Sequence, residues 1–138
     1  MDIVFCCASI DQSDPVIADT LMRATVLSRS NGVKSLRILS FREKGLSTVN
    51  GLEVCGLDYK KKNKLSKFMS LYRGLIYFYR RKKFHYLYLY MTPTTALFVS
   101  PLAKLLNFKI ASWFGHTTYK PITKCSLKYL TDIWFNSN

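Results

Sequence analysis

Four short polar segments of this sequence each follow an apolar run, and they hold most of the side chains that could bind a ligand. The side chains are mainly hydroxyls, amides and one imidazole, which hydrogen-bond well to polyhydroxylated or phosphorylated molecules. The segments are Ser9–Ser13, Thr92–Thr95, Gly115–Lys120 and Asn136–Asn138. If the apolar runs are parallel strands, their polar ends meet at one edge of a sheet, where α/β proteins bind ligands.

The two histidines lead to different predictions. His116 follows an apolar run directly and stands beside Gly115 and two threonines, Thr117 and Thr118, so it is a candidate for a functional role. The alternative for His116 is a loop histidine bonded to a backbone carbonyl. His85 stands at the opposite, amino end of its apolar run, and we expect it to be structural.

Several enzyme classes are excluded by missing motifs. The sequence has no GxGxxG after its first apolar run, no GxxxxGK[ST], no GxSxG, no kinase motif set and no HExxH. Its four cysteines show no CxxC spacing, so we expect no metal site and no cofactor. Cys6 and Cys7 lie in an apolar run as small buried hydrophobes, which favours a reducing, cytoplasmic compartment.

Positive charge is concentrated in one part of the chain. The 138 residues carry 21 Lys and Arg against 8 Asp and Glu, a net charge of +13, which predicts an anionic partner. No acid occurs between Tyr59 and Thr131. Ten basic residues fall between residues 60 and 83: Lys60, Lys61, Lys62, Lys64, Lys67, Arg73, Arg80, Arg81, Lys82 and Lys83.

The basic segment has a structural and a functional interpretation. The structural one is a helix that packs Leu65, Phe68, Tyr72 and Tyr79 inward and leaves its basic side in water. The functional one adds adsorption to anionic lipid headgroups, to which each basic residue contributes about 1 kcal/mol. Nucleic acid could use the same charge, but no helix-turn-helix, RRM, KH or OB pattern accompanies it.

Strands and helices alternate in the predicted elements that position these side chains. Strands are predicted at Ile3–Ser9, Val33–Phe41, Leu52–Leu57, Phe84–Met91, Phe108–Phe114 and Asp132–Phe135. Helices are predicted from Asp14-Pro15 to Asn31-Gly32, at Leu65–Arg81, at Thr94–Leu106 and at Pro121–Leu130. The apolar stripe of Leu65–Arg81 is Leu65, Phe68, Met69, Tyr72, Leu75, Ile76 and Tyr79, and Leu105 is among the residues predicted to face inward on Thr94–Leu106.

This alternation predicts an α/β fold with a doubly wound, mostly parallel sheet of about five or six strands. The run from Phe84 to Met91 lacks polar alternation, which is typical of a parallel strand buried on both faces. No linker or repeat divides the chain. We therefore expect one domain over 1–138.

The order of motifs in the second half resembles a known family. The stretch FHYLYLYMTPTTALFVSPLAKLLNFKIASWFGHTTY, followed by KCSLKYLTDIWFNSN, is similar to the amino-terminal domain of GT-B-type, family-4-like retaining glycosyltransferases. The matching pieces are the strand Tyr86–Met91, the run Pro101–Leu106, Trp113 with His116, and Thr131 through Ser137. The likeness covers residues 84 to 137 well and the first half only loosely. The loop after the first strand departs from the family, since it holds Ser9–Pro15 where members often carry glycines.

The resemblance implies the acceptor-side half of a glycosyltransferase. His116 would contact a sugar or acceptor hydroxyl at the reaction centre. Nearby acceptor-binding residues would be Ser9, Asp11, Thr92, Thr117 and Thr118. The family's second domain, which binds the nucleotide-sugar donor and carries the acidic E-x7-E motif, has no counterpart in the sequence. The resemblance therefore implies that 1–138 is a single Rossmann-like domain, incomplete, with the donor-binding C-terminal domain absent.

The function expected from this resemblance is transfer of a sugar from a nucleotide sugar to a lipid-linked or glycan acceptor. The basic segment would hold the domain on the inner, cytoplasmic face of the cell membrane, with nucleic acid disfavoured as a partner. The alternative is a non-enzymatic basic α/β module that binds an anionic membrane, nucleic acid or a protein. A glycosyltransferase subunit paired with a separate donor-domain chain lies between the two.

Overall fold

The computed structural model describes residues 1–13, 18–59, 63–92, 94–114 and 132–135; for Lys64, Phe114 and 132–135 it describes the backbone alone. The strands are β1 (Asp2–Cys7), β2 (Ser35–Ser40), β3 (Lys44–Val49), β4 (Leu52–Leu57), β5 (Tyr86–Tyr90), β6 (Lys109–Phe114) and β7 (Asp132–Phe135). The helices are α1 (Asp19–Ser28), α2 (Lys64–Arg81) and α3 (Thr95–Leu106). The helix predicted at Pro121–Leu130 and the cap predicted at Asp14-Pro15 lie outside the described residues.

The seven strands form one sheet in the order β3-β4-β2-β1-β5-β6-β7. All neighbours are parallel except β3 and β4, which form an antiparallel pair. The α/β class and the mostly parallel sheet are therefore confirmed, and the sheet has one strand more than the upper predicted number. Helix α1 packs on one face, and α2 and α3 pack on the other.

The additional strand is β3, which the sequence analysis missed. It pairs with β4 through a two-residue turn at Asn50 and Gly51, which have φ of 51° and 77°. Asn-Gly is a favoured pair for such a hairpin turn because both residues must adopt positive φ. The residues of β3 are mostly exposed, so it lacked the apolar signal by which the other strands were predicted.

Most of the other predicted elements are confirmed with small shifts at their ends. The bounds of β4 and β7 agree with prediction, and α2 begins one residue earlier. Asn107 closes α3 in the left-handed conformation, as expected. Helix α1, in contrast, ends at Ser28, and Gly32 takes its positive φ in the turn beyond the helix rather than at its cap.

The predicted inward stripe of α2 is wrong in part. Leu65 and Met69 are 67% and 58% exposed, and Ile76 is exposed as well. The side chains of α2 that are fully buried are Leu71, Leu75 and Phe78. Gly74 accounts for the rotation, because a Cβ on it would lie 2.7 Å from Leu39, so this side of the helix approaches the sheet most closely.

Leu105 on α3 was also predicted to face inward, and it is 79% exposed. The buried side of α3 consists of Ala96, Val99, Leu102 and Ala103. Among the described helices, none is both long and apolar enough to cross a membrane.

Candidate functional site

The direction of the chain across the sheet reverses at β1. Strand β2 lies on one side of β1 and β5 on the other. In open α/β sheets, the crevice outside the carboxyl ends of the two strands at such a point is the usual ligand site. Ser9 and Asp11 follow β1, and Thr92 follows β5, so the fold places these three predicted residues at the ends of the two strands that flank the crevice. His116, Thr117 and Thr118 lie outside the described residues.

The Ser9 hydroxyl binds the carboxylate of Glu43, which was not among the predicted site residues. This hydroxyl donates to Glu43 Oε1 at 2.6 Å, and the Ile10 backbone N–H donates to the same oxygen at 3.0 Å. The Ser40 hydroxyl donates to the second oxygen, Oε2. Ser9 also accepts a hydrogen bond from the Asp11 backbone N–H at 3.1 Å. Its hydroxyl therefore positions Glu43 and the loop after β1.

Glu43 reaches this position through the turn between β2 and β3. The Asp58 backbone N–H donates to the Glu43 carbonyl at 2.8 Å, which holds the turn against the end of β4. Gly56 permits the approach, because a Cβ there would lie 2.3 Å from the Glu43 carbonyl carbon. The available sequence signal was an acid directly after a strand in a chain with only eight acids.

Asp11 and Thr92 differ in whether their side chains have hydrogen-bond partners. Asp11 Oδ1 accepts a hydrogen bond from the Ser13 backbone N–H at 2.9 Å, and this bond lowers the pKa of the exposed carboxyl. Thr92 Oγ1 is buried and has no hydrogen-bond partner among the described residues. A buried hydroxyl without a partner costs about 1–3 kcal/mol, so Thr92 is the group best placed to gain from a ligand.

Two of the described cysteines, Cys6 and Cys7, are shielded from solvent. Burial raises the pKa of Cys6 to about 12 and raises that of Cys7 well above its usual value. Both thiols are fully buried, as predicted. Within the described ranges, no three His, Cys, Asp or Glu side chains lie close enough together to hold a metal ion.

His85 lies at the opposite end of the sheet and has structural contacts, as predicted. Its Nδ1 accepts a hydrogen bond from the Asp2 backbone N–H at 3.2 Å, and its carbonyl accepts from the Lys109 N–H at 2.9 Å. Asp2 in turn pairs with Lys82 at 2.5 Å, and the Ser35 hydroxyl donates to it. These contacts join β1, β2, β5, β6 and the end of α2 at the amino edge of the sheet.

The predicted basic residues fall into two groups. Some hold the fold: Lys67 Nζ lies 4.4 Å from the Phe41 ring centre, Arg81 pairs with Glu53, and Lys82 pairs with Asp2. Arg73, Arg80 and Lys83 are exposed, and the structure gives them no acidic partner among the described residues. Lys60, Lys61, Lys62 and the side chain of Lys64 lie outside the described part.

Apolar side chains share the solvent side of α2 and α3 with these cations. The two helices lie side by side, since the Phe68 and Phe98 rings stack with centres 3.9 Å apart and the Tyr72 hydroxyl donates to the Phe98 carbonyl. We call their solvent side the α2–α3 outer surface. Its exposed members on α2 recur at steps of three or four residues: Leu65, Met69, Arg73, Ile76 and Arg80. Lys83 follows the end of α2, and α3 adds Phe98, Lys104 and Leu105.

The apolar and basic members are unevenly distributed along α2. A helix that connects parallel strands begins at the carboxyl edge of the sheet and returns to the amino edge. Leu65 and Met69 lie in the first turns of α2, and Phe98 lies in the first turn of α3, so all three are near the crevice edge. Arg80 and Lys83 lie at the far end.

No family model, curated protein or solved structure matches this chain.

Proposed function

We propose that this chain is the acceptor-binding, membrane-associating domain of a glycosyltransferase that moves a sugar from a nucleotide sugar to a lipid-linked or glycan acceptor. The observation that carries the proposal is the α2–α3 outer surface, on which exposed Leu65, Met69 and Phe98 lie near the edge of the sheet that holds the crevice. A lipid-linked acceptor has its chain in the bilayer and its headgroup at the surface. Such an acceptor suits a domain that enters the membrane interface beside its ligand crevice.

The mixed character of the surface favours lipid over nucleic acid. Basic side chains alone would serve a phosphate backbone or a lipid headgroup equally. Leu65, Met69 and Leu105, each more than half exposed, gain nothing from a phosphate backbone but gain free energy at an acyl boundary. No acid in the sequence between Tyr59 and Thr131 opposes an anionic surface.

Two observations support a sugar as the ligand: the polar groups of the crevice and the resemblance to glycosyltransferases. Thr92, whose hydroxyl has no partner among the described residues, and the carboxylate of Glu43 offer a donor and an acceptor to sugar hydroxyls. The similarity of residues 84–137 to the acceptor-side domain of GT-B glycosyltransferases supports the same assignment. The proposal assigns donor binding to a second domain or subunit, and it keeps His116 as the residue at the reaction centre, with Thr117 and Thr118 beside it.

Vesicle binding tests the membrane part of the proposal. We expect the chain to sediment with vesicles of equal parts phosphatidylcholine and phosphatidylserine, less so at high salt, and not with phosphatidylcholine alone. Salt weakens binding because exposed charges are screened over about 8 Å at physiological ionic strength. Equal binding to both vesicles contradicts the proposal, and tighter binding to duplex DNA favours the nucleic-acid alternative.

A matched pair of variants separates apolar insertion from simple charge attraction. Leu65→Ser with Met69→Ser should weaken vesicle binding about tenfold, because two apolar side chains no longer enter the interface. Met22→Ser with Val26→Ser removes two equally exposed apolar residues from α1 on the other face and should leave binding unchanged. Equal losses in both variants would contradict an oriented surface.

Two measurements test the enzymatic part. The purified chain should transfer no sugar, since it has no donor-binding motif, and robust turnover would contradict the division between domains. In the chain combined with its donor domain, His116→Ala should lower the transfer rate by about 10²-fold or more. The melting temperature of the domain should stay the same. An unchanged transfer rate would show that His116 is not part of the site. A large fall in the melting temperature would show that its role is structural.

The crevice itself can be probed with glucose 1-phosphate, which carries sugar hydroxyls and a phosphate. We expect it to shift the backbone amide signals of residues 9–11 and Thr92, and Thr92→Val should abolish these shifts. Thr25→Val is the control, because the Thr25 hydroxyl is already bonded to the Leu21 carbonyl at 2.8 Å. Shifts that persist in Thr92→Val would contradict the role of this hydroxyl.

A further inference from the structure

A groove runs along α1 on the face of the sheet opposite the α2–α3 outer surface. Within the described ranges, α1 is the helix packed on this face, and it covers β1 and β2. Beside it, two adjoining cavities of about 520 and 370 Å³ share Leu27, Ser30 and Tyr88 in their walls. We call this feature the α1 groove; it lies over β5 and opens toward β6.

The floor of the α1 groove is aromatic. Tyr86 and Tyr88 are only partly buried, and the Phe5 and Tyr88 rings stack 5.5 Å apart. Farther along, Tyr90 and Trp113 stack 5.0 Å apart, with Trp113 also partly exposed. Burial raises the pKa of Tyr88 to about 12. Such a floor favours an apolar occupant.

One wall of the α1 groove is an apolar ridge on the helix. Met22 and Val26 line it four residues apart, and they are 60% and 63% exposed. Residues at this spacing stand one above the other on a helix, and such ridges fit between the side chains of a second helix. The spacing is therefore suited to a parallel or antiparallel helical neighbour.

The width beyond α1 also matches a helix. Strands β5, β6 and β7 lie side by side, with Trp113 in register with Trp134. Strands are about 4.8 Å apart, so these three span about 10 Å between the outer two. An α-helix with its side chains is about 10 Å in diameter. Among the described residues no helix covers this part of the sheet next to α1, and its width matches one helix.

Both ends of the α1 groove carry a cation against an aromatic ring. The Arg23 guanidinium carbon lies 4.7 Å from the Trp113 ring centre, and Lys109 Nζ lies 5.8 Å from that of Tyr86. The acid beside them is Asp19, which pairs with Arg23 and offsets part of its charge, whereas Lys109 has no acidic partner among the described residues. This arrangement favours acidic groups on whatever occupies the groove. It disfavours a second copy of a chain whose net charge is +13.

We infer that the α1 groove docks an amphipathic helix of a partner polypeptide, with an apolar stripe against Met22, Val26 and Tyr88 and acidic residues toward Arg23 and Lys109. The aromatic floor supplies the apolar contact area. The two terminal cations set the orientation of the partner by attracting acids at its flanks. This surface is on the opposite face from the membrane surface, so both can be occupied together.

A designed peptide of about five helical turns tests this inference on the full chain. It carries Leu at positions i, i+3, i+4 and i+7 and Glu on both flanks, and its control has Lys in place of every Glu. We expect the acidic peptide to bind and to shift the backbone amide signals of α1, β5 and β6. The Lys peptide should bind at least tenfold more weakly. Equal affinity of the two peptides, or shifts confined to α2 and α3, would overturn the inference.

A pair of variants locates the binding surface. Met22→Glu with Val26→Glu should weaken the acidic peptide at least tenfold, and circular dichroism should show an unchanged fold, since both side chains are exposed. Leu65→Glu with Met69→Glu should leave the affinity unchanged. Loss of binding in the second variant alone would overturn the inference. So would a chain that sediments as a dimer and becomes a monomer in the first variant, because a second copy would then fill the groove. The amide shifts of the unaltered chain keep the test valid if a variant misfolds.

Discussion

The two faces of the sheet bury their apolar side chains to different degrees. On one face, α2 and α3 cover a core that includes Leu71, Phe78, Leu89 and Val99 without exposing it. On the other face, α1 covers β1 and β2, while Tyr86 and Tyr88 on β5 remain partly exposed. Apolar surface of the first kind stabilises the folded chain, whereas surface of the second kind can still contribute to association.

The charges on the two faces differ in the same way. Asp2 is buried, and it joins Lys82 at the end of α2 to Ser35 on β2. The pair of Asp19 and Arg23 on α1 is about 40% exposed on each side. Solvent weakens an exposed pair far more than a buried one, so we expect the first pair to affect stability and the second to affect binding.

Replacing one aromatic residue on each face by alanine should give the largest difference in the free energy of unfolding. Phe78→Ala should lower the free energy of unfolding by about 3–5 kcal/mol, because it leaves a cavity beneath α2. Tyr88→Ala should cost only about 1–2 kcal/mol, since its ring is partly in water already. Urea unfolding of both variants measures this. Similar losses would mean that both faces are equally well packed.

Acid should destabilise the face of the sheet that α2 and α3 cover, because protonation removes the charge of Asp2. The hydrogen bonds from Lys82 and Ser35 lower the pKa of Asp2 from 3.8 to about 2. The carboxylate therefore stabilises the fold above about pH 4, and this contribution disappears as the pH falls toward 2. It amounts to at most about 2 kcal/mol, because Lys82 is half exposed. Asp2→Asn should flatten the pH dependence of unfolding between pH 4 and 2; an unaltered profile would assign the loss to other carboxyls.

The smallest effect on stability is expected at Arg23. Arg23→Met keeps the apolar stem but removes an exposed ion pair and a cation–π contact, which should cost less than about 1 kcal/mol. The same variant should weaken the acidic peptide severalfold. If the melting temperature of Arg23→Met fell as far as that of Phe78→Ala, Arg23 would support the core. The two faces would then not differ in stability at Arg23.

Elements with a single dominant pattern could be predicted from the sequence. The unbroken apolar run at β5 and the apolar residues of β4 were sufficient to place these strands. Helix α2 was placed well, but its buried side was not. It carries apolar residues on more than half of its circumference, so periodicity alone supports two overlapping stripes. Gly74 marks the side that approaches the sheet, and its meaning depends on Leu39, which is far away in sequence.

The candidate site was predictable only where it follows strands directly. Ser9, Asp11 and Thr92 reach the crevice edge because parallel strands share one carboxyl edge. Glu43 enters the site because the β3–β4 hairpin folds its turn back against Gly56, and β3 has no apolar pattern to reveal it. That the Thr92 hydroxyl finds no partner in the described part of the chain depends on the packing around it, which no local pattern encodes.

The sheet order combines a pairing that is local in sequence with one that spans most of the chain. The β3–β4 hairpin closes over two residues, and hairpins form in about 1–10 μs. Strand β1 instead pairs with β5, which joins Ile3 to Tyr86, so more than half of the chain must be looped out before the centre of the sheet exists. Closing long loops is entropically costly and slows folding. During synthesis β1 can pair with β2 early, but we expect its other edge to stay unpaired until β5 has left the ribosome.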